Sequence, residues 1–200
     1  MIRTLCLLAH RPDRDRAFFQ RYYEERHAPL AARLFPFVGY ARNHVEQGEA
    51  FDWDTISEFM VDDPLGPVRV MEGPHAAIVR ADEENFLDHA RLVPARVEAH
   101  LFSAGPVTDG EERRLAVLIE GERDRAMTWA EALARDRAGV SLDVIVGRDA
   151  AFPADAVFWL SGHDDPGPVP PGLVAKALRM RRYETDMVAV KHDLENEGLQ

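Results

Sequence analysis

A single cysteine, Cys6, is all the sulfhydryl chemistry this chain has. No disulfide can close within it, and no thiolate cluster can hold zinc or an iron–sulfur centre. Cys6 sits in the apolar run 5–8, where a thiol is expected to be buried and inert. Long hydrophobic runs are missing too. None approaches the roughly 20 apolar residues of a membrane-spanning helix, and His10, Arg11 and Pro12 break the apolar start too early for a signal peptide. Nor is there a basic excess. The formal net charge is -11, with 12 basic and 17 acidic side chains in residues 1–104 and 12 and 18 in residues 105–200. A polyanion needs clustered Lys or Arg. The expectation is a cytoplasmic protein with neither a membrane nor a nucleic-acid partner. No close-spaced metal-ligand motif is present, and no cofactor is expected.

What is there suits a globular core: 200 residues, 46% hydrophobic and 30% charged. Residues 2–9 read as a buried strand. Asp13 can cap the helix that follows, where Phe19, Tyr23, His27, Leu30 and Leu34 recur at helical spacing. Pro29 removes a backbone donor, so that helix should kink or restart at His27-Ala28-Pro29. Residues 37–46 form a strand with Tyr40, Arg42 and His44 on one face and Ala41, Asn43 and Val45 on the other. Residues 55–61 make the next strand, a broken helical stretch runs to about residue 87, and residues 96–103 close the unit. The order is βαββαβ.

Residues 105–112 suit a linker, and the pattern then returns. Strands are expected at 115–120, 140–146 and 157–160. Thr128-Trp129-Ala130-Glu131 has the spacing of a capping box opening a helix. A short helix at 173–178 and a last strand at 180–190 follow, before a polar tail at 191–200. One such unit leaves one sheet face bare, and that face must be buried. The fold expected is therefore α+β, with tandem ferredoxin-like repeats at 1–104 and 113–190 forming an α+β barrel within one chain.

The N-terminal half resembles the EthD family of the dimeric α+β barrel superfamily. The matching pieces are residues 7–12, then Tyr22-Tyr23-Glu24-Glu25-Arg26-His27-Ala28-Pro29-Leu30, Tyr40-Ala41-Arg42-Asn43-His44-Val45 and Ile56-Ser57-Glu58-Phe59. Residues 82–88 and Glu98-Ala99-His100 complete the set. Prolines and glycines in 62–73 depart from the family pattern, and the C-terminal half has no counterpart of the His-Ala-Pro or Asn-His pieces. Any site should therefore occur once. The resemblance implies a barrel acting on aromatic polyketides or related compounds, or an accessory protein.

Three residues are candidate catalytic groups. His27 lies on an apolar helical stripe, and imidazole titrates where proton transfer to a ketone or phenol needs it. It could equally be a core histidine bonded to a carbonyl freed by Pro29. His44 shares its strand face with Tyr40 and Arg42. Glu58 lies among apolar neighbours and needs a partner, with Arg42 or His44 across the hairpin the natural choice. Tyr23, Tyr40 and Asn43 are the candidate ligand contacts. Two histidines and a carboxylate also suit non-haem iron, and haem is conceivable. The leading expectation is a cofactor-independent lyase, cyclase or isomerase of a small aromatic or polyketide-like carbonyl compound, acting as monomer or homodimer. The alternative is a non-catalytic binding or accessory protein, and less favoured is a haem or iron oxygenase.

Overall fold

The computed structural model describes residues 1–105, 112–162 and 165–196. Its eight strands are β1 (Ile2–Leu8), β2 (Phe37–Val45), β3 (Thr55–Val61), β4 (Val93–Ser103), β5 (Glu112–Gly121), β6 (Val140–Arg148), β7 (Ala156–Ser161) and β8 (Leu173–Thr185). They close into one barrel in the order β1-β3-β2-β8-β5-β7-β6-β4, every pairing antiparallel. The first four strands thus lie in the order β4-β1-β3-β2, and the last four in the corresponding order β8-β5-β7-β6. Two seams join the halves, β2 to β8 and β4 to β6. Closure leaves the sheet no open edge.

Strand alternation divides the side chains between two environments. Leu5, Leu7, Ile56, Leu118, Trp159 and Met180 point into the barrel. The opposite faces carry helices. Over the first half lie α1 (Arg16–Tyr22), a π-helical turn (Tyr23–His27), α2 (Ala28–Leu34), α3 (Gly66–Glu72) and α4 (Ala76–Glu83). Phe19, Tyr23, Ala31 and Phe86 pack there against Cys6, Leu8, Phe37 and Tyr40. Over the second half, α5 (Arg123–Ala134) sets Ala126, Trp129 and Ala130 on Val117, Leu142 and Phe158. Burial of Cys6 pushes its thiol up to about 12, the inert state expected of it.

Several local expectations change. Asp15, not Asp13, caps α1, accepting from the Phe18 N–H at 2.7 Å. Thr128 sits inside α5 rather than before it, and its hydroxyl bonds back to the Asp124 carbonyl at 2.9 Å. The segment expected as a helix at 173–178 is the first half of β8, because pairing with β5 from Leu173 to Arg182 outweighs the helical preference of Ala-Lys-Ala-Leu. The described residues between β7 and β8 contain no helix. The last strand ends at Thr185, and α6 (Met187–Asn196) takes up much of the segment read as strand end and tail, burying Met187 beside α2. The expected linker at 105–112 falls mostly outside the described residues, and Glu112 already belongs to β5. No helix among the described residues is long and apolar enough to cross a membrane.

Candidate active site

Pro29 shapes the helix that carries His27. Without its N–H, the regular i to i−4 ladder fails there, and the turn Tyr23–His27 widens to π geometry, with Ala28 N–H reaching the Tyr23 carbonyl. Pro29 then opens α2. The result holds His27, 8% exposed, against the end of α4. Its Nδ1 donates to Asp82 Oδ2 at 2.7 Å, and Tyr22 donates its hydroxyl to Asp82 Oδ1 at 2.9 Å. Burial opposes ionisation of Asp82, but the bonds from His27 and Tyr22 outweigh it and hold its pKa below the ordinary value. In the neutral ring, an ionised Asp82 fixes the proton on Nδ1, and the lone pair is then on Nε2. Nε2 has no hydrogen-bond partner among the described residues.

His27 borders a cavity of about 410 Å³ between the sheet and the helices. Phe35, Phe37, Phe59 and Val61 give it apolar walls, and Pro64 and Pro67, in the segment that departs from the family pattern, line it too. Three polar side chains join His27 in the lining, Thr4, Glu83 and Arg96. Burial raises the Glu83 pKa, with the charge of Asp82 adding to it and those of His27 and His89 opposing. An apolar chamber with a few convergent polar groups is the usual form of a small-molecule site.

Of the six expected site residues, His27 alone borders this chamber. His44 faces the helix layer, as its strand position requires, but bonds to Glu24 through Nε2 at 2.6 Å. Glu24 also receives Arg42 at 2.5 Å. Glu58 and Asn43 point the other way, into the barrel. Glu58, fully buried, pairs not with Arg42 or His44 but with Arg3 at 2.5 Å, Arg114 at 2.9 Å and the Asn43 amide at 2.8 Å. Burial would raise its pKa, yet the charges of Arg3, Arg182 and Arg114 hold it far below the ordinary value. From Tyr40 onward, past the register shift at Phe37/Gly39, alternation puts even positions of β2 and odd positions of β3 outside, so the hairpin partners first expected lie across the sheet from Glu58. Tyr23 and Tyr40 are both fully buried between these groups; Tyr23 bonds Ser57 Oγ at 2.9 Å, and the Tyr40 hydroxyl has no partner among the described residues. His27, His44 and Glu58 therefore do not converge as metal ligands. Among the described residues no group of three or more His, Cys, Asp or Glu is placed to hold a metal ion.

Asp82, Glu83 and Arg96 escaped the sequence reading. The first two lie in the matched run 82–88, the one signal that pointed toward them.

A closed eight-stranded antiparallel barrel with helices outside places the chain among proteins similar to the dimeric α+β barrels. Residues 11–90 match the model of the EthD domain family. No curated protein matches the sequence significantly. Among solved structures, a candidate monooxygenase from Lactobacillus acidophilus NCFM is similar at TM-score 0.52 and 14% identity, covering 90% of this chain and 93% of its own. An anthrone oxidase-like protein gives TM-score 0.53 at 7% identity, covering 92% and 93%. A candidate monooxygenase from Fusobacterium nucleatum gives 0.53 at 10%, covering 91% and 92%. At such identities these likenesses speak to the fold alone.

Proposed function

We propose that this chain is a cofactor-independent enzyme that moves a proton on a small aromatic or polyketide-like carbonyl compound, with His27 as the general base. One observation carries the reading: the Asp82-anchored imidazole, its Nε2 unengaged, borders an apolar chamber of small-molecule size. Nε2 takes a proton from a phenol or from the carbon beside a ketone. The electron pair moves onto the substrate oxygen, where Arg96 offsets the charge. In an isomerase step Glu83, its carboxyl kept more basic by burial, protonates another carbon of the same molecule; in a cyclase step the carbanion adds to a second carbonyl of the molecule and Glu83 protonates that oxygen; in a lyase step the carbanion expels the neighbouring hydroxyl, which leaves with the Glu83 proton as water. His27 and Glu83 then recover their starting protonation by exchange with solvent. We further propose that the two halves are repeats of one ferredoxin-like unit, divided near residues 105–112, the second having lost a helix. The corresponding strand orders support this. A barrel closed within one chain favours a monomer, and the lone reduced cysteine is compatible with the cytoplasm.

The test is a panel of hydroxylated naphthalenes, anthrones and linear 1,3-diketones, followed for conversion. With a substrate in hand, His27→Ala should lower kcat about 10²–10⁴-fold. Asp82→Asn should lower it less, with KM nearly unchanged, because it frees the imidazole to turn rather than removing it. Unaltered turnover in His27→Ala removes His27 from the mechanism. A compound retained through purification but never converted favours a binding or accessory role for the same chamber. A second reading, prompted by the monooxygenase and anthrone oxidase-like structural relatives, has the same deprotonation followed by attack of molecular oxygen on the carbanion. Oxygen consumption matching substrate loss distinguishes it.

A further inference from the structure

A second carboxylate–imidazole pair lies apart from the His27 chamber. His44, on the helix-facing side of β2, is 1% exposed. Its Nε2 lies 2.6 Å from Glu24 Oε1, while Arg42 grips the same carboxylate through Nε at 3.0 Å and Nη2 at 2.5 Å. Burial acts to raise the Glu24 pKa, but the bonds from His44 and Arg42 prevail and bring it to about 2, so the carboxylate is ionised. An ionised acceptor at Nε2 dictates the tautomer: the proton sits there and Nδ1 keeps its lone pair. Burial also lowers the His44 pKa, with Glu24 opposing and Arg42 and Arg181 reinforcing, which keeps the ring neutral.

Nδ1 of His44 is buried and has no hydrogen-bond partner among the described residues. Buried acceptors are rarely left unmet. The ring also borders a groove of about 370 Å³ lined by Gln20, Arg21, Glu24, Glu25, Arg181 and Tyr183. The Tyr183 ring flanks the imidazole at 5.6 Å between centroids. This groove shares no lining residue with the His27 chamber. Its walls are polar where those of the chamber are apolar. Two guanidinium and two carboxylate side chains line it, so it holds no net formal charge.

We propose that this groove is a second binding site, for a small neutral polar molecule (a polyol or a primary amide) that donates an O–H or N–H to His44 Nδ1. The charge balance disfavours a free acid or amine, each of which meets two repelling groups of its own sign. Tyr183 offers a flat wall for the molecule's carbon skeleton. The Glu24–Arg42–His44 chain fixes the orientation of the ring, and with it the acceptor, before anything binds. The inference does not rest on the role given to His27.

The experiment uses the full chain labelled with ¹⁵N, and long-range ¹H–¹⁵N correlation to read the imidazole nitrogens. Without ligand, His44 should show protonated Nε2 and bare Nδ1. D-ribose, myo-inositol and acetamide are titrated in turn, with lactate and ethylammonium as charged counterparts. At least one neutral probe should shift His44 Nδ1 saturably while the His27 resonances hold still. His44→Phe should then weaken that probe at least tenfold. A proton on Nδ1 overturns the proposal. So does the absence of a saturable His44 shift with all three neutral probes, or tighter binding of a charged one. If the Phe variant does not fold, the wild-type titration decides.

Discussion

Asp143 and Glu24 are both largely buried carboxylates, yet their neighbours drive them in opposite directions. Asp143 stands in the barrel, accepting from the Trp159 indole at 2.7 Å and from Arg3 at 3.0 Å. Burial, with the charge of Glu58 beside it, outweighs Arg3 and raises its pKa to about 6. The folded protein therefore holds this proton more tightly than the unfolded chain, whose carboxyl titrates near 3.8. The contribution is favourable below about pH 4, is lost as pH climbs to about 6, and stays lost above. Glu24 runs the other way: its contribution is present above about pH 4.5 and fades toward pH 2. Asp143→Asn should erase the decline between about pH 4 and 6, worth up to about 3 kcal/mol, and melting curves across that range would register it. A decline that persists in the variant assigns it to another group. Strand parity made the opposed facing of Asn43 and His44 legible in the sequence. The true partners of Glu58 were not, because Arg3, Arg114 and Arg182 reach it from three other strands and only closure of the barrel brings them together.

Among the elements, the π turn has the most direct bearing on the site. Pro29 announced a break in the helix, and a break is there. The proline alone could not say that it would take the form of an extra residue in one turn, nor that Asp82, 55 residues away, would receive His27. Pro29→Ala restores a donor and lets the turn tighten to ordinary α geometry, which rotates His27 away from Asp82. Stability should change by no more than about 1 kcal/mol, because α2 keeps its alanine face on the sheet. Turnover of an identified substrate should nevertheless fall toward that of Asp82→Asn. Equal activity in the two proteins would detach the π turn from the chemistry. The second half was harder to foresee at this scale. Residues 173–178 have helical composition but spend it on pairing with β5, and no local signal outbids ten residues of strand partner.

Across the whole molecule, Glu58 is a keystone between the halves. It sits on β3 and binds Arg3 of β1, Arg114 of β5 and, at 3.7 Å, Arg182 of β8. Arg114 in turn stacks on Trp159, 4.3 Å from the ring centroid. Glu58→Gln removes the carboxylate that three guanidinium groups share; Arg3 keeps Asp143 and Arg182 keeps Glu184, but Arg114 loses its ion pair in the interior, and the change should cost about 3–5 kcal/mol. Urea unfolding read by Trp159 fluorescence should lose that amount in one cooperative step, since neither half has an interior without the other. A variant that melts in two steps would mean the halves hold together independently. The barrel as a class was readable from the order of strands and helices, because a half-covered sheet demands a cover. Which charges would meet inside it depended on the seams β2–β8 and β4–β6, and those join residues far apart in the chain.

Joining both leaves in one polypeptide also frees them to differ. In a pair of identical subunits every substitution is made twice, and a leaf cannot give up its ligand chamber without its twin doing the same. On the repeat proposed above, the leaf formed by β5 to β8 would have given up the helix that roofs a chamber and kept the task of closing the wall, while the other carries His27 and His44. Sequence change in the closing leaf is answerable to the shared interior and to its own core beneath α5.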